Sequence, residues 1–257
     1  MRLTLLGTGT SFGVPQLGCP CNVCKSKDPR DTRGRSGAVL DDGATRILID
    51  TPPELRVALL REGIGAVSAV LYTHDHADHT HGIDDLRALS AGARGPLPIF
   101  ATRATIGRMT AKFPYVFDPN ADQIPGSART HVSIRPIEAG EPVDIGSIRV
   151  LPLAFEHGPT TTLGFRFGPL AYLTDLKRVG PEALAALSGV EVLVLGALFH
   201  RPHPTHLSIP EAVATARQLG ARQTWLTHLT HETGHAELAA SLPADVQPAH
   251  DGLVIEV

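Results

Sequence analysis

The sequence predicts an α/β fold in which helices cover β-sheets. Apolar runs of strand length recur along the whole chain, and helix-like stretches separate several of them. The 257 residues suffice for one large domain with a buried core, and no long Gly/Ser linker or short repeat divides them. Two facing sheets would make a four-layer αββα sandwich, although periodicity alone leaves one doubly wound sheet open. We expect a single domain over residues 1–257.

The predicted strands are the apolar runs of three to six residues, namely Leu3 to Leu6, Ile47 to Ile49, Ala69 to Tyr72, Ile148 to Leu153, Leu170 to Leu173, Val192 to Leu195 and Leu253 to Val257. The predicted helices are the four clearest helix-like stretches, namely Glu54 to Arg61, Gly82 to Leu89, Pro181 to Leu187 and Ser208 to Leu219. The last helix opens with Ser208, Pro210 and Glu211, which is an N-cap pattern.

One segment departs from this alternation. Between Gly92 and Ser127 the pattern loosens, and prolines and aromatic residues become frequent. We expect a packed surface insertion at 92–127, and the alternative is a lid that shields the substrate.

Composition and charge limit the classes of partner. The net charge of −3 leaves no general basic surface, which disfavours tight binding of long nucleic acid. No run approaches the roughly eighteen apolar residues of a membrane span, and the N-terminal MRLTLLGTG shows no cleavable signal. We expect a soluble cytoplasmic protein that acts on a small substrate and has no membrane partner.

The glycines near the N-terminus only superficially match a dinucleotide-binding fingerprint. Gly7, Gly9 and Gly13 have the spacing G-x-G-x-x-x-G, and Pro15 and Gly18 follow where a helix should begin. The spacing therefore predicts a tight loop after the first strand.

The densest cluster of metal-binding side chains follows the strand that ends at Thr73. The next residues supply His74, His76, Asp78 and His79 in the order H-x-H-x-D-H. Imidazole and carboxylate are ligands for zinc, manganese and iron. His74 and His76 can point to one side of an extended turn, and Asp78 and His79 lie a turn further on. We therefore expect two ions, about 3.5 to 4 Å apart, with further ligands from elsewhere in the chain.

All three cysteines, Cys19, Cys21 and Cys24, fall within six residues as C-x-C-x-x-C. Their odd number and close spacing do not suit a disulfide framework in a chain without an export signal. Reduced thiolates on a metal are the better interpretation.

The motif T-H-x-H-x-D-H after an apolar strand resembles the signature of the metallo-β-lactamase superfamily. The resemblance implies the four-layer αββα sandwich and the remaining ligands. His157 in AFEHG matches the third histidine of the first metal, Asp175 in YLTD matches the bridging aspartate, and His228 in WLTH matches the last histidine of the second metal.

The N-terminal GTGTSFGVP and the cysteines resemble the branch that includes phosphoribosyl 1,2-cyclic phosphate phosphodiesterase. That resemblance implies a closed structural zinc site made by Cys19, Cys21, Cys24 and His231. It also implies that His206, in HPTHLS, binds a phosphoryl oxygen or donates a proton to the departing alkoxide. His200 and His203 are competitors for this role.

Two further positions are open at the level of sequence. Asp50, in ILIDT, either orients a ligand imidazole or simply forms a turn before the following prolines. Gly196 stands where relatives of the family often have an acidic residue.

The expected activity is hydrolysis of small cyclic or linear phosphodiesters by a hydroxide that two metal ions activate. Asp78 and Asp175 act as ligands and catalytic residues. The expected cofactors are two divalent ions, zinc or manganese with iron as an alternative, and one structural zinc. The alternatives are a thioester or lactone hydrolase, a tRNA 3′-endonuclease-like nuclease, and a non-catalytic accessory protein of cofactor biosynthesis. The family resemblance also suggests a homodimer.

Overall fold

The structure is a computed structural model that describes residues 1–91, 95–118 and 130–257. In these residues the strands are β1 Arg2–Gly7, β2 Gly37–Asp41, β3 Arg46–Ile49, β4 Ala69–Leu71, β5 Leu97–Ala101, β6 Val132–Pro136, β7 Val143–Ile145, β8 Ile148–His157, β9 Thr160–Phe167, β10 Leu170–Leu173, β11 Val192–Gly196, β12 Gln223–Thr227, β13 Val246–Pro248 and β14 Val254–Glu256.

The α-helices between them are α1 Leu55–Arg61, α2 Ala77–Thr80, α3 Leu86–Ala91, α4 Arg103–Lys112, α5 Pro114–Phe117, α6 Pro181–Ala186, α7 Ile209–Leu219 and α8 His235–Ser241. Two short 3₁₀ turns span Pro29–Asp31 and Ile83–Asp85. No helix in the described part of the chain is long and apolar enough to cross a membrane.

The strands form two mixed seven-stranded sheets. The order in the first sheet is β14-β1-β2-β3-β4-β5-β6, and the order in the second sheet is β13-β12-β11-β10-β9-β8-β7. In the first sheet β3, β4, β5 and β6 are parallel, and in the second sheet β10, β11, β12 and β13 are parallel. The parallel strands of each sheet need crossover connections, and these carry the helices.

Side-chain alternation along the strands separates three apolar layers. On β3, Ile47 and Ile49 join the core between the sheets, where Phe165 and Tyr172 come from the second sheet, whereas Leu48 joins the core under the outer helices. Because successive side chains point to opposite faces, a strand buried on both faces reads as a continuous apolar run. A core shared by both sheets shows the four-layer αββα sandwich and excludes the single doubly wound sheet.

Each of the seven predicted apolar runs coincides with a strand, and the four predicted helical stretches are helical in the structure. Ser208 caps α7 through the predicted contacts: its hydroxyl accepts from the Glu211 N–H, and the Glu211 carboxylate accepts from the Ser208 N–H. The helix ends at Gly220, whose φ of 68° suits glycine. The N-cap prediction for this helix is confirmed.

The segment predicted as an insertion is only partly described. Residues 92–94 and 119–127 lie outside the described residues, so the choice between a packed surface insertion and a lid stays a prediction. The remainder contains β5, α4 and α5, of which β5 is an internal strand of the first sheet.

Gly7 and Gly9 allow two backbone segments to approach each other closely. A Cβ atom at Gly7 would lie 2.0 Å from the carbonyl oxygen of Arg35, and one at Gly9 would lie 2.8 Å from that of Arg33. Only glycine permits this contact. The predicted tight loop is present, and Gly13 has a positive φ of 66° within it.

Candidate dinuclear metal centre

The candidate centre lies where several strands end. Asp50 follows β3, Asp175 follows β10 and His228 follows β12, and their φ angles are 62°, 54° and 60°. Such left-handed backbone costs a non-glycine residue about 1–3 kcal/mol, and it clusters at functional sites where surrounding contacts impose it. The left-handed backbone presents Asp175 and His228 to the same site, where they lie 3.1 Å apart, and presents Asp50 to the far nitrogen of His79.

The first group of candidate ligands consists of histidines from two strand ends. His74 and His76 follow β4, and His157 ends β8. The ring centroids of His74 and His76 are 4.4 Å apart, and that of His157 lies 5.3 Å and 5.0 Å from them. One nitrogen from each ring lies within 4.8 Å of the others, so the group could hold one metal ion.

The second group contains Asp78, His79 and His228. An oxygen of Asp78 lies 3.4 Å from His79 Nε2 and 3.8 Å from His228 Nε2. Asp175 contacts this group through both oxygens, at 3.2 Å from His79 Nε2 and 3.1 Å from His228 Nε2. It also forms a candidate group with His74 and His79. Asp175 therefore lies between the two groups, where a bridging ligand would stand.

The unpaired polar atoms of the site fit divalent cations. His74 Nε2, His79 Nε2 and both ring nitrogens of His228 are buried and lack a hydrogen-bond partner. An unsatisfied buried polar atom costs about 1–3 kcal/mol, and a metal ion would remove this cost at one nitrogen of each ring by accepting its lone pair. Mixed imidazole and carboxylate donors suit zinc, manganese and iron. The structure thus brings all seven predicted ligands together, with three in each ion-sized group and Asp175 between the groups.

Electrostatic interactions within the centre also favour cations. Burial alone would raise the pKa of Asp175, but the imidazoles of His228 and His79 hold it well below its usual value. Burial alone would lower the pKa of His228, but contacts with Asp175 and Asp78 raise it to about 9. These carboxylates therefore attract positive charge strongly enough to overcome the cost of burying it.

Asp50 orients one of the candidate ligands. His79 Nδ1 lies 2.7 Å from its carboxylate, which also accepts from the backbone N–H and hydroxyl of Thr73 at 2.8 Å and 2.9 Å. The contact directs the other nitrogen of His79, Nε2, towards the second group. Of the two sequence interpretations of Asp50, the structure favours the orienting one.

Among the competing histidines, the structure places His206 at the centre. Its ring lies 4.7 Å from that of His157 and 4.9 Å from that of His228, and it lines the adjoining cleft. His203 lies behind His206, at 5.2 Å, with its Nδ1 accepting from the Thr205 N–H, and His200 is exposed.

The cleft beside the centre has a volume of about 240 Å³. Four residues that sequence reasoning did not single out line it with the ligands: Ser11, Pro159, Thr160 and Thr205. Ser11 lies within GTGTSFGVP and Thr205 within HPTHLS, and Pro159 and Thr160 stand at the turn from β8 to β9. None of the four is a metal-ligand type in those motifs, and only the fold brings these separate segments to one cleft.

The three cysteines meet His231, the partner that the family resemblance implies. Cys19 Sγ and Cys21 Sγ each lie 3.3 Å from His231 Nδ1, and all four ligand atoms lie within 4.8 Å of one another. The Cys24 N–H and His231 lower the pKa of the Cys21 thiol to about 6, whereas burial raises the pKa of the Cys24 thiol to about 11, so the thiolate is favoured at Cys21 alone of these two. The group could hold one tetrahedral ion.

The glycine at position 196 has a steric reason. A Cβ atom there would lie 3.1 Å from the Asp175 backbone nitrogen and 3.3 Å from the Thr174 Cα. A larger side chain would push against the strand end that presents Asp175. An acidic residue at this position would require the backbone of Thr174 and Asp175 to shift by a few tenths of an ångström.

Comparisons with known proteins support the fold and identify the family. A model of the β-lactamase superfamily domain matches residues 45–229. A crystal structure of a diphosphatase from the PhnP family matches with a TM-score of 0.90 and 39% identity, covering 100% of this chain and 97% of that one. Zn²⁺-bound PqqB from Methylobacterium extorquens has a TM-score of 0.81 and 19% identity over the full length of both chains, and thus shares the fold.

One curated relative differs in size. An octanoyltransferase of Porphyromonas gingivalis is 35% identical over 256 residues, which is 98% of this chain. The chain spans only 51% of the length of that relative.

Proposed function

The chain belongs to the β-lactamase superfamily and has the metallo-β-lactamase fold of metal-dependent hydrolases, and from this premise we propose that it hydrolyses small phosphodiesters with two metal ions. The observation that carries the proposal is the convergence of seven histidine and aspartate side chains on two adjacent groups beside an open cleft.

Each part of the centre has a distinct role in the proposed reaction. The histidines of the first group would hold one ion and the second group would hold the other, and Asp175, which lies between the two groups, would be available as a ligand to both. Two bound divalent ions supply an activated water and neutralise charge on phosphoryl oxygens. His206, at the wall of the cleft, hydrogen-bonds the phosphoryl group or the leaving oxygen.

The cleft favours a small substrate with a single negative charge at its reacting group. Its volume of about 240 Å³ suits a compact ester, and no lysine or arginine is among the described residues that line it. Charge on the substrate would therefore be neutralised by the ions themselves. A monoanionic phosphodiester meets this condition.

A second candidate is hydrolysis of a diphosphate linkage. It is favoured by one observation, the 39% identity to a PhnP-family diphosphatase over essentially the whole of both chains. The two reactions share attack on a phosphorus atom and differ in the leaving group. The octanoyltransferase relative offers a third chemistry, but this chain spans about half of that protein, and its activity belongs to the longer chain.

One substrate panel separates these candidates. The protein is loaded with zinc or manganese and assayed with a cyclic phosphodiester, a linear phosphodiester, a diphosphate diester and an octanoyl thioester. We expect the phosphodiesters to be turned over fastest, and we expect His76→Ala to abolish turnover without unfolding the protein. Faster turnover of the diphosphate diester would replace the first candidate with the second. Thioester cleavage alone, or full activity of His76→Ala, would reject both.

Metal analysis tests the remaining features of the proposal. We expect about three ions per chain, two in the dinuclear centre and one zinc on the cysteines and His231, in line with the one-ion-per-group geometry. A single zinc together with no turnover would favour an accessory protein of cofactor biosynthesis. A homodimer, which light scattering would detect, also remains a prediction.

A further inference from the structure

Asp75 stands between two candidate ligands of the first group, His74 and His76, but it belongs to neither ligand group itself. Its carboxylate is nevertheless withdrawn from solvent, with 8% of the side chain exposed. A buried carboxylate needs partners, because an unpaired charge in a protein interior is strongly destabilising.

Both partners come from one face of α4. Arg108 Nε donates to Asp75 Oδ1 at 2.6 Å, and Lys112 Nζ donates to Oδ2 at 2.7 Å. Lys112 also donates to the backbone carbonyl of Asp75. The two cations are four residues apart, so they lie on adjacent turns of the helix and reach the same carboxylate together.

These contacts hold the turn that carries two candidate metal ligands in place. On another side of the same turn, the Thr80 hydroxyl donates to the backbone carbonyl of His76 at 2.8 Å. Asp75 is therefore held through its side chain and its carbonyl group, and His76 is held through its carbonyl group. The two imidazoles emerge from this turn, so their separation depends on how firmly it is held.

The energetics point to positioning more than to global stability. Arg108 and Lys112 are 45% and 39% exposed, and ion pairs of such exposed side chains contribute little to the stability of the fold. Metal ligation is more sensitive, because loss of the groups that orient ligands typically lowers metal affinity by about 10- to 100-fold.

We infer that Arg108 and Lys112 are positioning residues for the metal centre, acting through Asp75 to hold His74 and His76 at metal-binding separation. This inference rests on the proposed dinuclear function. It assigns α4, which lies within the segment predicted as an insertion, the role of a support for the centre.

The test is a metal titration of the full chain against a chromophoric chelator, with Zn²⁺ as the probe. We expect Arg108→Met and Lys112→Met each to weaken one of the two ions of the centre by about 10- to 100-fold. The zinc on the cysteines should be unchanged. Arg103→Met is the matched control on the same helix. Arg103 is 79% exposed and pairs with Glu138 at the long distance of 3.9 Å, so its loss should leave the affinities of the centre and of the cysteine site for zinc unchanged.

A mutant cycle tests whether the effect runs through Asp75. In an Asp75→Asn background, Arg108→Met should lower the zinc affinity of the centre no further. In the natural background, Lys112→Arg should keep most of the zinc affinity that Lys112→Met loses. If Asp75→Asn does not fold, the comparison of Lys112→Met with Lys112→Arg carries the test.

Two outcomes separate this inference from the proposed function. Affinities within twofold of the natural protein in both methionine variants would overturn the inference, even if their melting temperatures fell. Failure of the natural protein to bind two ions at the centre would instead overturn the dinuclear function on which the inference rests.

Discussion

At the scale of single residues, left-handed backbone conformations and buried hydrogen bonds orient the candidate ligands. Asp50 illustrates this, because its left-handed backbone turns a fully buried carboxylate towards His79 and Thr73. A carboxylate in this position keeps one tautomer of the imidazole and raises its basicity as a ligand. The residue needs no contact with metal or substrate to affect the centre.

Replacing Asp50 by asparagine should therefore weaken the second ion. Asn has nearly the same shape but lacks the charge, so we expect a 10- to 100-fold loss of affinity with the fold retained. Calorimetric zinc titration measures the loss. Asp144→Asn is the control, since Asp144 is exposed and pairs only with Arg149 in the contacts described. Equal affinities in the two variants would show that Asp50 merely shapes the turn.

His206 invites a different prediction, because it lines the cleft yet also forms a candidate ligand group with His157 and Asp175. If it assists the phosphoryl group, His206→Gln should retain both ions and lower kcat by about 10²- to 10⁴-fold. His203→Gln, one layer further out, should have a much smaller effect. Loss of an ion in His206→Gln would instead identify His206 as a ligand.

At the scale of elements, one ion pair fixes the loop that carries His206. Lys177 Nζ lies 2.8 Å from Glu211 in the first turn of α7 and donates to the His206 carbonyl at 3.3 Å. The backbone N–H of Leu207 also donates to the Leu176 carbonyl, at 2.9 Å. The His206 loop is thus tied both to α7 and to the segment that follows Asp175.

Loss of the Lys177 contacts should lower the turnover rate more than it lowers the free energy of unfolding. The Lys177–Glu211 pair is partly exposed, so Lys177→Met should cost less than about 1 kcal/mol of unfolding free energy. Displacement of His206 by even about 1 Å should lower kcat by about 10- to 100-fold with metal content unchanged. Lys177→Arg should recover part of the rate. A normal kcat in Lys177→Met would exclude this positioning role.

At the scale of the whole molecule, the N-terminal segment is joined to the loop between β12 and α8. The cysteines contact His231 across more than 200 residues of sequence. The buried Arg33 donates to the backbone carbonyls of Thr230 and Thr233 in the same loop. Because His228 begins this loop, the cysteines and Arg33 contact the same loop that presents a candidate ligand of the metal centre.

Loss of the structural ion should lower the melting temperature. With zinc at about 100 times its dissociation constant, the bound ion contributes about 2.7 kcal/mol, which corresponds to about 5–10 °C for a chain of this size. Cys21→Ser should show this drop and contain one ion fewer, whereas Ser26→Ala in the same loop should show neither change. Calorimetry with metal analysis measures both. An unchanged metal count would contradict a zinc site on these cysteines.

Much of the fold was predictable because its strands are buried on both faces. Continuous apolar runs such as Val192 to Leu195 mark such strands directly. Among the described strands, seven were not predicted, namely β2, β5, β6, β7, β9, β12 and β13. In β9 and β12, for example, threonine and glycine interrupt the apolar pattern, and pairing with neighbouring strands stabilises both. Local sequence does not reveal partners that come from distant parts of the chain.

Ligand chemistry is a property of residue type, so the side chains available for metal chemistry and their order can be read from the sequence, from His74 to His228 and from Cys19 to His231. Three other features depend on the folded chain: these side chains meet in two groups, His206 lies nearer to the candidate centre than His203, and α4 holds Asp75. Those outcomes depend on which strand ends and helices pack together, and packing between distant segments is a property of the folded chain.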